Sequence, residues 1–417
     1  MFSYFRRFLK NLGPGFVTGA SDDDPSGIAT YAQAGASFGF SMLWSILFTL
    51  PLMIAVQEMS ARIALVTGKG LMQSIRRRHG KSMVIGITCL LFIANTINIG
   101  ADLGMMASAA QIFWRLPFAF WLLLAAVAIL ALEIFTSYAT YARYLKWLTL
   151  SLFAYIAAAF FIRIHWGAAW RATMIPHLQW SSNYFLILVA LLGTTISPYL
   201  FFWQANQEVE EEKANGDISA CSPAKLRRMR FDVGIGMVFS NVVSWFIILT
   251  TAAALFFSLG ATDITSADQA ARALIPFAGS FASALFALGI IGTGLLTIPI
   301  LSGTAAYAFS ETFGLREGLS KKWWQAKAFY GIIIISVLIG GAMNFLGIPP
   351  FRALIYSAVV NAFIAPPILW MLIRLGSDKN VMGECVNGIW AKFFGWLTLI
   401  IMTVAPLTWL WFTFFSV

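Results

Sequence analysis

The sequence predicts an all-α protein that crosses a membrane about eleven times. Of its 417 residues, 59% are hydrophobic and 11% are charged, whereas soluble domains carry roughly 25% charged residues. The mean hydropathy of the chain is +0.78. Apolar runs of about 20 residues, long enough to cross the hydrocarbon core as helices, recur along the whole chain. No stretch between them is long enough for a second folded domain, so we predict a single multi-pass transmembrane domain.

Each predicted span is an apolar run bounded by charged residues or by turn residues. In the first and sixth spans, a proline beside small or hydroxylated residues predicts a broken helix. A short amphipathic helix outside the membrane is predicted over Thr265–Phe277, before the eighth span. In chain order, the spans cover about 12–38, 41–66, 83–113, 117–137, 142–164, 183–212, 232–258, 280–312, 327–346, 351–374 and 389–415.

The placement of the basic residues is an independent test of these spans. With the N-terminus in the cytoplasm, most of the 28 Lys and Arg residues fall in cytoplasmic segments, as the positive-inside rule requires. The exceptions, on the other side, are Arg115, Arg163, Arg171, Arg272 and Arg352. This distribution supports eleven spans, and it explains the net charge of +10 without nucleic-acid binding. A basic cytoplasmic face also suits anionic lipid, so the lipid bilayer is a predicted partner.

The first span is interrupted within the segment Leu12–Gln33, where three consecutive carboxylates, Asp22 to Asp24, lie inside an apolar run. Pro25 removes a backbone donor and disfavours helix at the residue before it, and Gly27 relaxes the backbone. We therefore predict two half-helices joined by an unwound segment, whose carbonyls and carboxylate form a hard-cation site. The alternative is an amphipathic N-terminal segment whose aspartates end in water.

The sixth span has a second interruption, at Ser197-Pro198. A proline inside an apolar span unwinds it because the carbonyls one turn back lose their donor, although a plain proline kink is the alternative. Two interrupted helices five spans apart, one of them acidic, favour a transporter with inverted five-helix repeats and a site at the midplane. The acidic run at the end of this span, Glu208 to Glu212, is predicted to be a solvated cytoplasmic end rather than a metal site.

With both breaks in view, the chain resembles the natural-resistance-associated macrophage protein (Nramp) family of divalent-metal transporters. The resemblance covers about residues 13–366. It implies a LeuT-like fold with inverted repeats over about 12–165 and 183–374, an extra helix over about 389–415, and a metal site between helices 1 and 6. It implies neither an enzyme nor a cofactor apart from the transported ion. The motifs are GPGFVTGASDDDPSG, VQEMSARIALVTGKGL, GADLG, RRMRFD, TSADQAARALIP and LFALGIIGTGL.

The departures from the family motifs fall on the metal site that the resemblance implies. The family's Asp-Pro-Gly-Asn of helix 1 reads DPSG here, so the aspartate ligand is retained as Asp24 and Gly27 stands in place of the asparagine ligand. The family's Met-Pro-His-Asn of helix 6 reads SPYL, so Ser197 replaces the metal-binding methionine and Tyr199 the histidine. The carbonyl that the family uses three residues before the methionine falls on Thr194.

Loss of the thioether leaves a site whose predicted ligands are all oxygen. They are the carboxylate of Asp24, with Asp23 as a second one, the Ser197 hydroxyl and helix 6 carbonyls. Such ligands favour Mg²⁺, Ca²⁺ or Mn²⁺, and the small Gly27 and Ser197 predict a wider cavity that suits a partly hydrated Mg²⁺. This pattern is similar to the magnesium-transporting branch of the family.

The leading hypothesis is therefore a secondary transporter of Mg²⁺, with Mn²⁺ as a further substrate, in the inner membrane of a bacterium. The alternatives are a proton-coupled Mn²⁺ or Fe²⁺ importer, an organic-solute carrier and a non-transporting membrane protein on the same fold.

Proton coupling is predicted to be weak or absent. Tyr199 is neutral at physiological pH and cannot replace a histidine as a proton carrier. The family's acidic pair on helix 3, Asp-Leu-Ala-Glu, reads DLGM here, so Asp102 remains and Met105 cannot carry a proton. We expect Asp102 to be a hydrogen-bonded structural acid rather than a proton carrier. Candidates for the ion pathway are Tyr199, Asp102, Asn98 and Asn361, and the alternative for the two asparagines is that they hold helices together.

Overall fold

The computed structural model describes residues 13–136, 152–214, 222–260 and 263–415, and within these ranges the regular secondary structure is helical. The predicted fifth span, about 142–164, is therefore only partly described. Five of the residues used in the charge argument lie outside the described ranges: Arg6, Arg7, Lys10, Arg143 and Lys146.

The first half of the chain holds eight helices in these ranges. The predicted break divides the first span into two helices, and Gly39 then turns the chain toward the third. The φ of Gly39 is +57°, which favours glycine, and a Cβ there would press on the ring of Phe256. The helices are α1 (Pro14–Asp22), α2 (Pro25–Phe38), α3 (Leu43–Thr67), α4 (Leu71–Arg76), α5 (Lys81–Ala110), α6 (Phe118–Phe135), α7 (Phe153–Phe161) and α8 (Trp166–Met174).

The second half repeats the pattern of a broken helix followed by long ones. The sixth span is divided at Ile196 and Ser197, as predicted. The helices are α9 (Ser182–Thr195), α10 (Pro198–Ala214), α11 (Pro223–Thr251), α12 (Ala282–Phe313), α13 (Lys327–Met343), α14 (Pro350–Gly376) and α15 (Ile389–Phe414).

Nine helical stretches of the described chain are long and apolar enough to cross a membrane. The difference from the predicted eleven has two sources. The stretch Pro25–Thr67 joins α2 and α3, which belong to the first and second predicted spans. The fifth predicted span falls partly outside the described ranges.

The seventh span departs most from its predicted range. Helix α11 begins at Pro223 rather than near 232, because the basic segment before the apolar run continues the helix instead of forming a loop. The predicted amphipathic helix over Thr265–Phe277 is present as three short helical segments, Ala267–Ala271, Arg272–Leu274 and Ile275–Ala278.

Helix α1 lies along α11 over its whole length. At its start, the carboxylate of Asp232 accepts hydrogen bonds from the backbone N–H groups of Gly13 (2.9 Å) and Gly15 (2.7 Å). One turn further along α11, Gly236 packs against Gly15 and Gly19 so closely that a Cβ at any of the three would collide with backbone. Small residues allow this approach of two membrane helices. The end of α1 is thereby held at a fixed place on α11.

The two helix breaks meet in the interior of the bundle. Helix α5 packs against α12, α13 and α14, and α14 also packs against α2 and α9. Residues Ser21 to Gly27 at the first break and Thr194 to Tyr199 at the second are all buried. The fold therefore places two unwound segments opposite each other, away from lipid.

Candidate metal-ion site

Asp24 caps helix α2 with its side chain. One carboxylate oxygen, Oδ1, accepts hydrogen bonds from the backbone N–H of Gly27 and from the hydroxyl of Ser26, both at 2.6 Å. Pro25 occupies the first turn, where its missing N–H costs no helical hydrogen bond. The DPSG segment therefore both ends α1 and starts α2, and it fixes a buried carboxylate at the start of α2.

The second oxygen of Asp24 faces helices from both halves of the chain. Oδ2 accepts hydrogen bonds from the side-chain amide of Asn98 on α5 (3.3 Å) and from the hydroxyl of Tyr199 on α10 (3.2 Å). The amide oxygen of Asn98 in turn accepts a hydrogen bond from Ser357 on α14 (2.7 Å). Asp24 thus lies where α2, α5 and α10 converge.

Thr194 connects the two breaks. Its hydroxyl lies 3.3 Å from the hydroxyl of Ser26, and a Cβ built at Gly27 would lie 3.3 Å from the same atom. The Ser197 hydroxyl turns back onto its own helix, 2.7 Å from each of the carbonyls of Gly193 and Thr194. A hydroxyl has one proton and two lone pairs, so Ser197 retains acceptor capacity toward an ion.

A carbonyl at the end of α1 adds a further oxygen. The carbonyl of Ser21 receives the Tyr199 hydroxyl (3.5 Å) and the Thr297 hydroxyl of α12 (3.4 Å). Both contacts are long, as expected for a carbonyl that has no regular helical donor. This oxygen lies beside the partners of Asp24.

The wider cavity expected at Gly27 is not present on the side of Tyr31. A Cβ at Gly27 would lie 3.2 Å from the ring of Tyr31 and 3.1 Å from the carbonyl of Asp22. The tyrosine ring therefore fills the space that a larger residue at position 27 would occupy. The ring comes from one turn further along α2, a contact that the motif alone does not indicate.

Asp22 and Asp23 point away from the contacts of Asp24 and toward α11. The hydroxyl of Ser240 donates toward Asp22 (2.6 Å) and Asp23 (3.4 Å), and that of Ser244 donates to Asp23 (3.0 Å). The predicted second ligand, Asp23, therefore has hydroxyl partners on a different helix from those of Asp24.

Asp102 and Asn361 are buried near the site without direct contact to Asp24. Asp102 lies one turn beyond Asn98 on α5, and neither of its carboxylate oxygens has a hydrogen-bond partner among the described residues. The expectation that Asp102 is hydrogen-bonded is therefore wrong. Asn361 lies one turn beyond Ser357 on α14, and its amide nitrogen finds no partner within the described ranges.

The buried carboxyl groups at and near the site have no basic partner among the described residues. In the part of the chain that the structure describes, Asp22, Asp23, Asp24 and Asp102 form no ion pair, and no three His, Cys, Asp or Glu side chains come together as a metal-binding group. A buried carboxyl group in an apolar interior is neutralised by a proton or balanced by a cation. A cation held by one carboxylate and several neutral oxygens is one way to balance the charge of Asp24.

The acidic run at the end of α10 is not the solvated end that was predicted. Glu208 is buried, Glu210 accepts hydrogen bonds from Tyr307 and from the backbone of Leu319, and Glu212 pairs with Lys225 at 2.5 Å. The partners of Glu210 lie about a hundred residues away in sequence, so a local pattern could not reveal them.

Several hydroxyl groups of this region were not predicted from the sequence. Ser26 was inside the recognised motif, but its role as a donor to Asp24 was not identified. The one-turn spacing of two serines on α11 was the available signal for Ser240 and Ser244. Ser357 and Thr297 lie in long apolar helices and gave no signal.

A sequence model described as "Natural resistance-associated macrophage protein-like" matches residues 15–412 of the chain. The chain is 26% identical over 410 residues to the divalent metal cation transporter MntH of Pectobacterium carotovorum, covering 94% of this chain and 92% of that protein. It is 28% identical over 430 residues to the divalent metal cation transporter MntH 1 of Pseudomonas aeruginosa, covering 99% of this chain and 93% of that protein.

Solved structures of transporters have the same fold. A crystal structure of the Eremococcus coleocola manganese transporter, in complex with an aromatic bis-isothiourea substituted compound, has a TM-score of 0.76 at 20% identity and covers 99% of this chain and 87% of that one. MHP1, a nucleobase-cation-symport-1 family transporter, has a TM-score of 0.60 at 11% identity in a closed conformation, covering 97% and 93%. These matches confirm the predicted all-α, LeuT-like fold.

Proposed function

Because the chain belongs to the natural resistance-associated macrophage protein (Nramp) family, we propose that this multi-pass membrane protein carries divalent metal cations across the bilayer, with Asp24 as the main ligand. The observation that carries the proposal is a fully buried carboxylate at the meeting point of two helix breaks, with no basic partner in the described ranges. The named relatives, two divalent metal cation transporters and a manganese transporter, support the substrate class.

The proposed ligand set is built from oxygen. Asp24 supplies a carboxylate, Thr194 a carbonyl and a hydroxyl, Ser197 a hydroxyl, and Gly27 lets the backbone of α2 approach them. Tyr199 and Asn98 orient the carboxylate through the hydrogen bonds described above, and Asn361 and Asp102 line the path beyond them. Asp23 faces α11 and is assigned below to a separate site.

We propose that hard ions, Mg²⁺ first and Mn²⁺ second, are the preferred cargo. Every hydrogen-bond partner of Asp24 and Ser197 is an oxygen or a nitrogen. Mg²⁺ is usually held by one or two carboxylates and keeps several of its waters, so it needs few protein ligands. A single carboxylate with hydroxyl and carbonyl neighbours meets that requirement.

One observation favours a softer cargo, and it supports the alternative of a Mn²⁺ or Fe²⁺ importer. A Cβ at Gly294 of α12 would meet the sulfur of Met106 and would also lie 3.6 Å from the ring of Pro25. A thioether therefore lies close to the first helix break. Thioether sulfur favours softer metals over Mg²⁺. Substitution of Met106 by Leu separates the two cases, because it lowers Cd²⁺ and Mn²⁺ uptake only if the sulfur binds the ion.

The driving force is proposed to be the membrane potential rather than a proton gradient. Tyr199 and Met105 stand where the family has titratable groups, and Asp102 has no hydrogen-bonded relay partner in the described part of the chain. A divalent charge crossing the full field gains about 4.6 kcal/mol per 100 mV. That energy alone supports accumulation of the ion.

The proposed setting is the inner membrane of a bacterium, with the N-terminus in the cytoplasm. The bacterial relatives and the placement of Lys and Arg support it. We further propose one transport domain, with repeats over about 12–165 and 183–374 and an extra helix over about 389–415. Two helix breaks five spans apart support these limits.

Proteoliposomes that contain a metal dye and a pH dye test the proposal. We expect Mg²⁺ and Mn²⁺ to enter under an inside-negative potential without matching acidification. Uptake of an organic solute in place of any divalent ion would favour the organic-solute carrier. No uptake of either kind of substrate would favour the non-transporting membrane protein. Metal-dependent acidification that Asp102→Asn removes would establish proton coupling.

A further inference from the structure

The carboxylates of Asp22 and Asp23 form a second group of buried oxygens at the interface of α1 and α11. Both side chains have no solvent-exposed surface. Ser240 reaches both of them, at 2.6 Å and 3.4 Å, and Ser244 reaches Asp23 at 3.0 Å. One hydroxyl therefore reaches an oxygen of each carboxylate, and the two carboxylates face the same place on α11.

Each of the two carboxylates keeps one oxygen without a partner. Asp22 Oδ1 and Asp23 Oδ2 make no hydrogen bond to any described residue, although both atoms are buried. Within the described ranges, neither Asp22 nor Asp23 forms an ion pair with a Lys or Arg side chain. A carboxyl pair without a basic partner in a membrane interior is neutralised either by protons or by a cation, and its unpartnered oxygens are available to bind a cation.

The geometry of this group is fixed by the packing of α1 on α11. Asp232, Gly236, Ser240 and Ser244 follow one another at one-turn intervals along α11, so they form one stripe facing α1. The first two hold the start and middle of α1, and the serines meet its end. Carboxylates and hydroxyls therefore face each other without needing a rearrangement of either helix.

The ring of Tyr31 packs beside the segment that Asp24 caps. It lies next to Gly27, and its hydroxyl is 3.4 Å from that of Thr195 on α9. The carboxylate of Asp24 faces α5 and α10, whereas those of Asp22 and Asp23 face α11. The two sets of oxygens are neighbours in sequence but have different surroundings.

We propose that Asp22, Asp23, Ser240 and Ser244 form a second site, which binds a hard divalent cation such as Mg²⁺ independently of Asp24. Two carboxylates and one divalent ion make a neutral cluster, whereas a monovalent ion leaves a net charge inside the membrane. All the ligands are oxygen, which suits Mg²⁺, Ca²⁺ or Mn²⁺. On binding, the serine hydroxyls turn their lone pairs to the ion, and waters complete its coordination.

The number of ions bound per chain tests the proposal. Mn²⁺ serves as the probe, and equilibrium dialysis of the purified full chain in detergent gives the stoichiometry. We expect two Mn²⁺ per chain in the wild type, one in Asp23→Asn and one in Asp24→Ala. The double substitution Ser240→Ala with Ser244→Ala keeps both carboxylates. It is expected to lower the affinity for one of the two Mn²⁺ ions by about tenfold or more.

The matched control is Ser336→Ala, a buried serine on α13 whose hydroxyl, among the described residues, bonds to the Ile333 carbonyl of its own helix. It should bind two Mn²⁺ as the wild type does, and a size-exclusion profile shows whether each variant is folded. One Mn²⁺ in the wild type, kept in Asp23→Asn and lost in Asp24→Ala, would overturn the second site and mean that protons neutralise the pair. If the wild type binds two ions and Asp24→Ala binds neither, the second site does not bind independently of Asp24, and that part of the proposal is overturned.

The same data separate this proposal from the transport function. If Asp24→Ala still binds one Mn²⁺ but shows no uptake, both proposals stand. If uptake is unchanged in Asp24→Ala while Asp23→Asn loses one bound ion, the second site stands and the assignment of the transport site fails.

Discussion

The hydroxyl of Tyr199 donates a hydrogen bond to the carboxylate of Asp24 over 3.2 Å, and this contact joins the two helix breaks of the chain. Asp24 begins α2, and Tyr199 lies in the first turn of α10. A phenol at this position can orient the carboxylate, and the phenol itself stays uncharged near neutral pH. The contact therefore adds no group to the site that titrates near neutral pH.

Replacement of the phenol by a titratable ring should introduce pH dependence. In Tyr199→His, an imidazole that ionises between about pH 5 and 8 lies beside Asp24, so uptake should fall as the pH drops through that range. Uptake of Mn²⁺ into liposomes across this range is the measurement. Tyr199→Phe is the matched control, because it loses the same donor without gaining a titratable group. Identical pH profiles for the two variants would contradict the expectation.

A soft ligand at the second break should change ion selectivity. Ser197→Met places a thioether beside Thr194, so Cd²⁺ binding should tighten relative to Mg²⁺ by about tenfold. Calorimetry on the wild type and the variant gives the ratio, and Ser197→Leu controls for bulk without sulfur. Adding Gly27→Asn restores the family's pair but crowds Tyr31, at a cost of about 1–3 kcal/mol. Tighter Cd²⁺ binding by the wild type than by Ser197→Met would count against an oxygen-only site.

The carboxylate that caps α1 should contribute to stability. Asp232→Ala removes hydrogen bonds to the N–H groups of Gly13 and Gly15, so the free energy of unfolding should fall by about 1–3 kcal/mol. Asp232→Asn retains an acceptor at this cap and should lose less. Thermal melting of both variants in detergent checks this order. Equal melting temperatures for Asp232→Ala and the wild type would show that the cap is dispensable.

Glu317, in the loop between α12 and α13, should make stability depend on pH. Burial, the larger cause, and the charge of Glu210 raise the pKa of its carboxyl from 4.5 to about 7, although Lys213 and Lys321 act in the opposite direction. Between these two pKa values the folded chain binds more protons than the unfolded chain. Its contribution to stability is therefore present at low pH and is lost as the pH rises through this window.

Glu317→Gln should therefore raise the melting temperature at about pH 8 and have little effect at about pH 5. Melting curves at both pH values for the wild type and the variant provide the test. An equal shift at the two pH values would mean that Glu317 does not titrate in this window.

Local chemistry made the two breaks predictable from the sequence. DPSG and Ser197-Pro198 each combine a proline with residues that accept an unwound backbone, and the structure has a break at both. The position of Asp24 follows from the same segment, because the residue before Pro25 is a natural helix cap.

The directions of the three adjacent aspartates could not be predicted. An unwound segment has no fixed periodicity, so its side chains are aimed by distant partners. Asn98 and Tyr199 hold Asp24, whereas Ser240 and Ser244 hold Asp23. The burial of Glu208 was not foreseen, because it depends on how helices pack in the folded chain. For the same reason, the sequence could not show that Asp102 has no hydrogen-bond partner among the described residues.

The central claim is that Asp24 binds the transported ion, and uptake by Asp24→Ala tests it most directly. The measurement is Mg²⁺ and Mn²⁺ entry into proteoliposomes under an inside-negative potential, with Ser336→Ala as the control for a buried substitution away from the site. We predict that Asp24→Ala folds and reconstitutes, with a melting temperature lowered by the loss of the α2 cap, but shows no uptake of either ion, while Ser336→Ala transports normally. Uptake by Asp24→Ala at the wild-type rate would contradict the assignment of the site.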